Sequence, residues 1–319
     1  MLITIRKTMS SLETKIVQLY TLLIGLVGLG FIFGSRLPKV FATYLGKFLF
    51  CIGVPISIVA FLHQADLSGP IWLAPLVAWT AIFLGIGLAT VWINWQAKLK
   101  KTPIFWSQSS QGSFILAAMV GNTGYLGYPV TLAVVGTKFF AWALFYDLLG
   151  STLGAYGLGV ALAARFGRGR DYRQLAQVIL INPALWSFGF GLIFRQLPLP
   201  TVAAQILHGV GWIVVALSLI LLGMRLSQMA SWHKLPQATV SLAIKMLLVP
   251  LILGSSLSLL GFRGPPQLVI VLQMAMPPAF ATLVIGEAFN LDLDLTVTAL
   301  AVGTAGLLVT LPLWLLLFG

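Results

Sequence analysis

The sequence predicts an all-α polytopic membrane protein: ten transmembrane helices in two inverted five-helix repeats, with broken crossover helices at the fourth and ninth spans. Three observations predict it. Hydrophobic residues make up 59% of the 319 residues and charged residues 8%, with a mean hydropathy of +1.00, whereas roughly a quarter of a soluble chain is charged. The length suits about ten spans of ~20 residues joined by short connections. The fourth apolar run of each half is also interrupted by proline, which removes a backbone donor and clashes with the preceding turn.

Taken in order, a short polar start with Arg6 and Lys7 precedes an apolar segment at about Ile16–Phe33. This segment is too long for a signal-peptide core and lacks a small-residue cleavage site, so it reads as a retained helix. Further spans are expected at Ala42–Phe61, Ile71–Trp95, Ser113–Val135 (broken) and Phe139–Ala164. A basic loop at Arg165–Arg173 follows. The second set covers Leu175–Phe194, Val202–Met224, Thr239–Leu260, Leu268–Phe289 (broken) and Leu295–Phe318. The expected division is therefore 1–164, 165–173 and 174–319. An odd number of spans per half sends the second half into the membrane from the opposite side, which makes the repeat inverted. Traces of duplication survive: Gly28-Leu-Gly-Phe-Ile-Phe33 lines up with Gly189-Phe-Gly-Leu-Ile-Phe194, and at the same offset Ser57 falls on Ser218.

The net charge of +12 does not point to nucleic acid, because the basic residues punctuate the ends of apolar segments instead of forming a soluble patch. Connections after the odd-numbered spans hold eleven Lys and Arg residues; the N-terminus and the other connections hold six. The positive-inside rule places the central basic loop in the cytoplasm and both termini outside, in a plasma (inner) membrane. The single cysteine, Cys51, excludes an internal disulfide and reads as a small core residue. His63, His208 and His233 are scattered, and no metal, cofactor or catalytic constellation is visible. The chain does not read as an enzyme.

The organising stretch is Gly121-Asn-Thr-Gly-Tyr-Leu-Gly-Tyr-Pro129, inside the fourth span. Three glycines, an asparagine and a proline break a helix at mid-membrane depth. Irregular backbone is tolerated there only where protein buries it or where it lines a wet cavity. Asn122, Thr123, Gly124, Gly127 and Pro129 are accordingly candidate substrate-binding residues, because a half-helix N-terminus with free N–H groups suits a carboxylate. The ninth span repeats the break at Pro277–Pro278, with Gln273 just ahead and Ala275 and Ala279 making room.

Two charges lie inside spans. Asp147, about eight residues into the fifth, is expensive unless paired, wet or protonated, and is a candidate for proton coupling. Lys245, a similar distance into the eighth from the other side, either supports the site or snorkels to the cytoplasm. Glu287, Asp292 and Asp294 read as a solvated loop.

At this point the motif is recognisable. Asn122 to Pro129 resembles the fourth-span motif of the auxin efflux carrier family, which includes plant auxin carriers and many bacterial carriers. Met276-Pro277, Glu287-Ala-Phe-Asn290, Gly303 to Leu311-Pro312, Asn182-Pro183 and Lys245 with Pro250 are similar to later spans of that family. The large cytoplasmic loop of long plant members is absent. The resemblance implies ten helices divided into a scaffold and a transport domain, each built from both halves, in the superfamily of bile-acid and sodium–proton carriers. It also implies an asparagine at Asn122 that helps hold a substrate carboxylate beside crossover prolines at Pro129 and Pro277. Substrates in the family include auxin, malate and malonate. The function expected is a secondary carrier, of efflux type, for a small organic anion. The expected partners are that anion, the lipid bilayer and a second copy of the chain. Rival readings are a sodium-coupled symporter of the bile-acid type, disfavoured because neither break holds a carboxylate, and a ligand sensor on a carrier fold.

Overall fold

The computed structural model describes residues 20–21, 23–98, 106–167, 180–228 and 234–319. Parts of three sequence expectations lie outside these residues: the start of the first span, most of the basic loop, and the beginning of the sixth span. Among the described residues the chain forms twelve helices, in chain order α1 Leu23–Arg36, α2 Lys39–Gln64, α3 Leu73–Lys98, α4 Gln108–Met119, α5 Tyr128–Val134 and α6 Thr137–Phe166. These are followed by α7 Pro183–Phe194, α8 Thr201–Ser227, α9 Leu235–Leu259, α10 Pro265–Met274, α11 Phe280–Ala288 and α12 Leu293–Phe318. Six of them (α2, α3, α6, α8, α9 and α12) are long and apolar enough to cross a bilayer. At ~1.5 Å per residue, a helix of this length exceeds a hydrocarbon core of about 30 Å. The molecule is a polytopic membrane protein.

Side-chain distribution fits lipid as the outer solvent. Trp72, Ile193 and Leu259 are 68%, 72% and 87% exposed, while Phe61, Phe114, Phe140 and Trp314 are fully enclosed. Turn-level detail follows the sequence. Ser107 caps α4 by accepting from the Ser110 N–H at 3.1 Å, and Asn182 caps α7 by accepting from the Ala184 N–H at 3.0 Å. Asp292 caps α12 through the Leu295 N–H at 3.1 Å. It also accepts from the Ser110 hydroxyl at 2.6 Å and pairs with Lys234 at 3.5 Å. This corrects the expectation of a solvated acidic loop: Asp292 is structural, and only Glu287 and Asp294 are exposed.

The helices pack in two groups. In the first, α2 lies against α7 and α8, and α1 lies against α8. The α1–α8 crossing depends on glycine. A Cβ on Gly30 would sit 2.0 Å from the Ile220 carbonyl oxygen, and one on Gly223 would sit 2.0 Å from that of Val27. Gly30 and Gly34 form a G-x-x-x-G stripe, which lets two backbones approach where apolar burial supplies no driving force between helices. In the second group, α3 packs on α4 and α6, and α9 packs on α10 and α12.

The helix expected over residues 113–135 is interrupted, and so is that expected over 268–289. After α4 ends at Met119, Val120 is extended (φ −116°, ψ 126°), and the chain re-enters helix through a π turn at Thr123–Gly127. The second break lies between α10 and α11, with Ala279 extended (φ −74°, ψ 147°). The extended stretches cross and pair antiparallel at Gly121 and Pro278. The Asn122 N–H donates to the Pro277 carbonyl at 2.7 Å, and the Ala279 N–H donates to that of Val120 at 3.1 Å.

Replacing Gly223 with leucine should force α1 away from α8. Thermal unfolding in detergent is expected to show a loss at or above the ~1–3 kcal/mol typical of overpacking, whereas leucine at Gly209, which has open space around it, should leave the melting temperature nearly unchanged.

Candidate functional site

A cavity of about 620 Å³ lies between the two helix groups and ends at the crossing. One wall comes from α2, α7 and α8, through residues such as Cys51, Asn182, Ser218 and Arg225. The other comes from the fourth-span break, α6 and the start of α11. Thr43 and Lys47 are exposed and Arg225 is half-buried, so these residues form the mouth. They lie near the N-terminal end of α2 and the C-terminal end of α8. Farther along α2 and α8 from this mouth, the two helix groups meet through aromatic packing. Phe61 of α2 meets Phe140 of α6 at 5.3 Å and Trp212 of α8 at 5.8 Å between ring centroids, and Tyr128 meets Phe140 at 5.1 Å. Such edge-to-face contacts favour close packing.

At the closed end, Asn122 is 4% exposed, and its side-chain amide faces the cavity without a hydrogen-bond partner among the described residues. Its amide atoms are reached from the cavity and have no protein partner among the described residues, so this group is free to meet a ligand. Around it the N–H groups of Gly124 and Tyr125, and of Phe280 and Ala281, have no acceptor among the described residues. The opening turns of two half-helices thus converge on one cavity. Their partial positive charges favour an anion.

Asp147 sits beside them, 7% exposed. One carboxylate oxygen accepts from the Thr123 hydroxyl at 2.6 Å and the Thr152 hydroxyl at 3.3 Å; the other accepts from the Tyr128 hydroxyl at 2.6 Å. Neither break contains a carboxylate, but α6 delivers one to the first break, which a search confined to the breaks could not reveal. The 24-residue separation of Asp147 from Thr123 hid the contact.

The remaining candidates divide by location. Asn122, Thr123 and Gly124 are on the cavity wall with Asp147; Gly127, Pro129, Gln273, Pro277, Pro278 and Lys245 are not. Pro277 and Pro278 form the crossing itself. Gln273 is fully buried and donates to the Thr131 hydroxyl at 3.1 Å, filling the space left by Gly127, where a Cβ would lie 2.3 Å from its Oε1. Lys245 does not snorkel. It is 2% exposed, and its ammonium donates to the Met274 carbonyl at 2.9 Å, at the C-terminal end of α10 where the helix dipole is negative. Its stem packs on Gly121, whose Cβ would lie 3.1 Å from Lys245 Cε. Asp147 and Lys245 thus flank the break from different sides, and they form no ion pair; the one found among the described residues is Lys234–Asp292. Cys51 departs from expectation as well: it is exposed and lines the cavity, because the α2 face that carries it turns away from the core.

Sequence reading missed Tyr128, Thr152, Arg225 and Lys47 as wall residues. Arg225 was legible only as an end-of-span charge, and the two hydroxyls carry no local signal.

The family described as membrane transport protein matches residues 172–315. A protein from Methanothermobacter thermautotrophicus described as an uncharacterized transporter is 32% identical over 276 residues, covering 86% of this chain and 88% of its own. Another so described, from Methanocaldococcus jannaschii, is 29% identical over 211 residues, 64% of this chain and 67% of its own. The chain belongs to the membrane transport protein family, that of the auxin efflux carriers. It is a membrane transporter, not an enzyme.

Gly127→Ala should displace the Gln273 amide from Thr131 and lower stability by about 0.5–1.5 kcal/mol, the net worth of one hydrogen bond. In Gln273→Ala protein the same change should be nearly neutral, a coupling that a double-mutant cycle in thermal unfolding reads directly.

Proposed function

We propose that this transporter is a secondary carrier that moves a small organic anion, such as a carboxylate or an auxin-like acid, by alternating access. The carrying observation is the unpartnered Asn122 amide, buried at the end of the cavity among two converging half-helix N-termini. Four unpartnered N–H groups and an amide suit a carboxylate, and the apolar remainder of the wall suits the body of a small organic acid.

In this reading the twelve helices are ten spans, with α4–α5 and α10–α11 as the broken fourth and ninth. The halves 1–164 and 174–319 form an inverted repeat about the basic loop 165–173. Two positional matches support it: the breaks fall in corresponding spans and pair with each other, and Ser57 and Ser218, equivalent by offset, lie on neighbouring α2 and α8. The group of α1, α2, α7 and α8 serves as scaffold, and the rest moves against it as the transport domain. Lys47 and Arg225 at the mouth attract the anion. With the basic connections in the cytoplasm and both termini outside, the cavity opens inward in a plasma membrane and the Phe61–Phe140–Trp212 cluster is the closed outer gate. The assembled form is a homodimer.

Asn122→Ala is expected to weaken binding of indole-3-acetate or malonate by at least tenfold in purified, folded protein measured by calorimetry; unchanged affinity would remove the site assignment. Cys51 offers an independent check, as the single cysteine and a cavity residue. A membrane-impermeant maleimide should label it from the side of the basic loop, and saturating substrate should slow the reaction in wild-type but not in Asn122→Ala protein. Labelling only from the opposite side would contradict the inward-open assignment.

A further inference from the structure

An anion site with a carboxylate built into its wall is at odds with itself unless the carboxylate takes part. Asp147 lines the cavity, and its acceptor positions are mostly filled. A carboxylate offers about four lone-pair directions, and the hydroxyls of Thr123, Thr152 and Tyr128 take three. Thr123 opens the half-helix whose free N–H groups follow it in sequence. The donor nearest the anion site is therefore already committed to an anion that belongs to the protein.

No cation balances that charge. α3 carries no ionisable side chain from Leu73 to Ala97, and α7 carries none from Pro183 to Phe194. The fourth-span break contributes Tyr125 and Tyr128, and α6 contributes Tyr146 and Tyr156. Lys47, Arg225 and Glu287 face the cavity from its mouth, and Lys245 is engaged with Met274 beyond the crossing. None of these lies within ion-pair distance of Asp147 among the described residues.

We infer, on the reading of the cavity as an anion site, that Asp147 holds the Thr123 donor at the edge of that site and that a substrate carboxylate is accepted only as Asp147 takes up a proton, so that anion and proton cross together. The proton comes from water in the open cavity and goes to a carboxylate oxygen of Asp147. Thr123 is then free to turn its hydroxyl to the substrate. The buried site carries one negative charge both empty and loaded with a monoanion, so loading adds no net charge to desolvate, and a monoanion crosses electroneutrally. One remaining acceptor direction suffices for a proton. It does not suffice for a sodium ion, which needs several oxygen ligands, or for an ammonium group with three donors to satisfy.

The test uses full-length protein in lipid nanodiscs, with indole-3-acetate and indole-3-methanesulfonate as probes; the sulfonate stays ionised throughout. For both, wild-type affinity should fall tenfold per pH unit as the medium becomes more alkaline, with one proton taken up per anion bound, read by a pH indicator on the unmodified protein. Infrared difference spectra should show the C=O band of a protonated carboxyl on binding. Asp147→Asn should bind both probes without pH dependence and lack that band. A retained pH slope in Asp147→Asn, or no proton uptake by wild type, overturns the proposal. So does loss of all binding in Asp147→Asn or a requirement for sodium, as a sodium ion or ammonium group seated on Asp147 would produce. Should neither probe bind, acidification of unliganded wild type decides: the carboxyl band must appear there and be missing from Asp147→Asn. Asn122→Ala separates the two readings, since it should remove binding yet keep the acid-induced band.

Discussion

Backbone polar groups in a membrane protein must find partners within the protein, and the rest of this structure depends on how two interrupted helices meet that demand. Each break frees N–H and C=O groups from helical pairing. The chain resolves part of the deficit by laying one extended stretch against the other, so that Asn122 donates to Pro277 and Ala279 donates to Val120. Each break completes the other, and neither would be tolerated alone. What the pairing leaves over, the opening N–H groups of two half-helices and the Asn122 amide, faces the cavity.

The groups behind the crossing serve the same constraint. Lys245 reaches the carbonyl end of α10 from one side, and Gly121 is bare because that stem lies against it. Gln273 fills the gap left by Gly127 and ties α10 to Thr131. Lys245 and Gln273 hold the two half-helix ends without lining the cavity themselves. Candidates of equal weight in the sequence therefore separate, in three dimensions, into those that face the cavity and those that keep the crossing rigid.

Much of the architecture was legible because its signals are local. Apolar runs bounded by Pro38, Pro200 and the basic ends match the six long helices to within a few residues, and the glycines and proline of 121–129 located the break. What stayed hidden depends on contacts between distant segments. Asp147 meets Tyr128 and Thr123 across the turn between α5 and α6, Asp292 meets Ser110 across 182 residues, and Cys51 faces the cavity only because of how α2 is rotated. Hydropathy reports depth in the bilayer but not rotation about a helix axis, so the side of the helix from which a polar group looks out has to come from packing.

If the paired breaks create the binding site, a cryo-electron-microscopy structure in lipid nanodiscs with a bromine-labelled indole carboxylate will show where the anion sits. Ligand density is expected against the Asn122 amide, its carboxylate facing the N–H groups of Gly124, Tyr125, Phe280 and Ala281, with Gly121 still paired to Pro278. Ligand density elsewhere, or residues 113–135 and 268–289 running as unbroken helices apart from one another, would contradict this expectation.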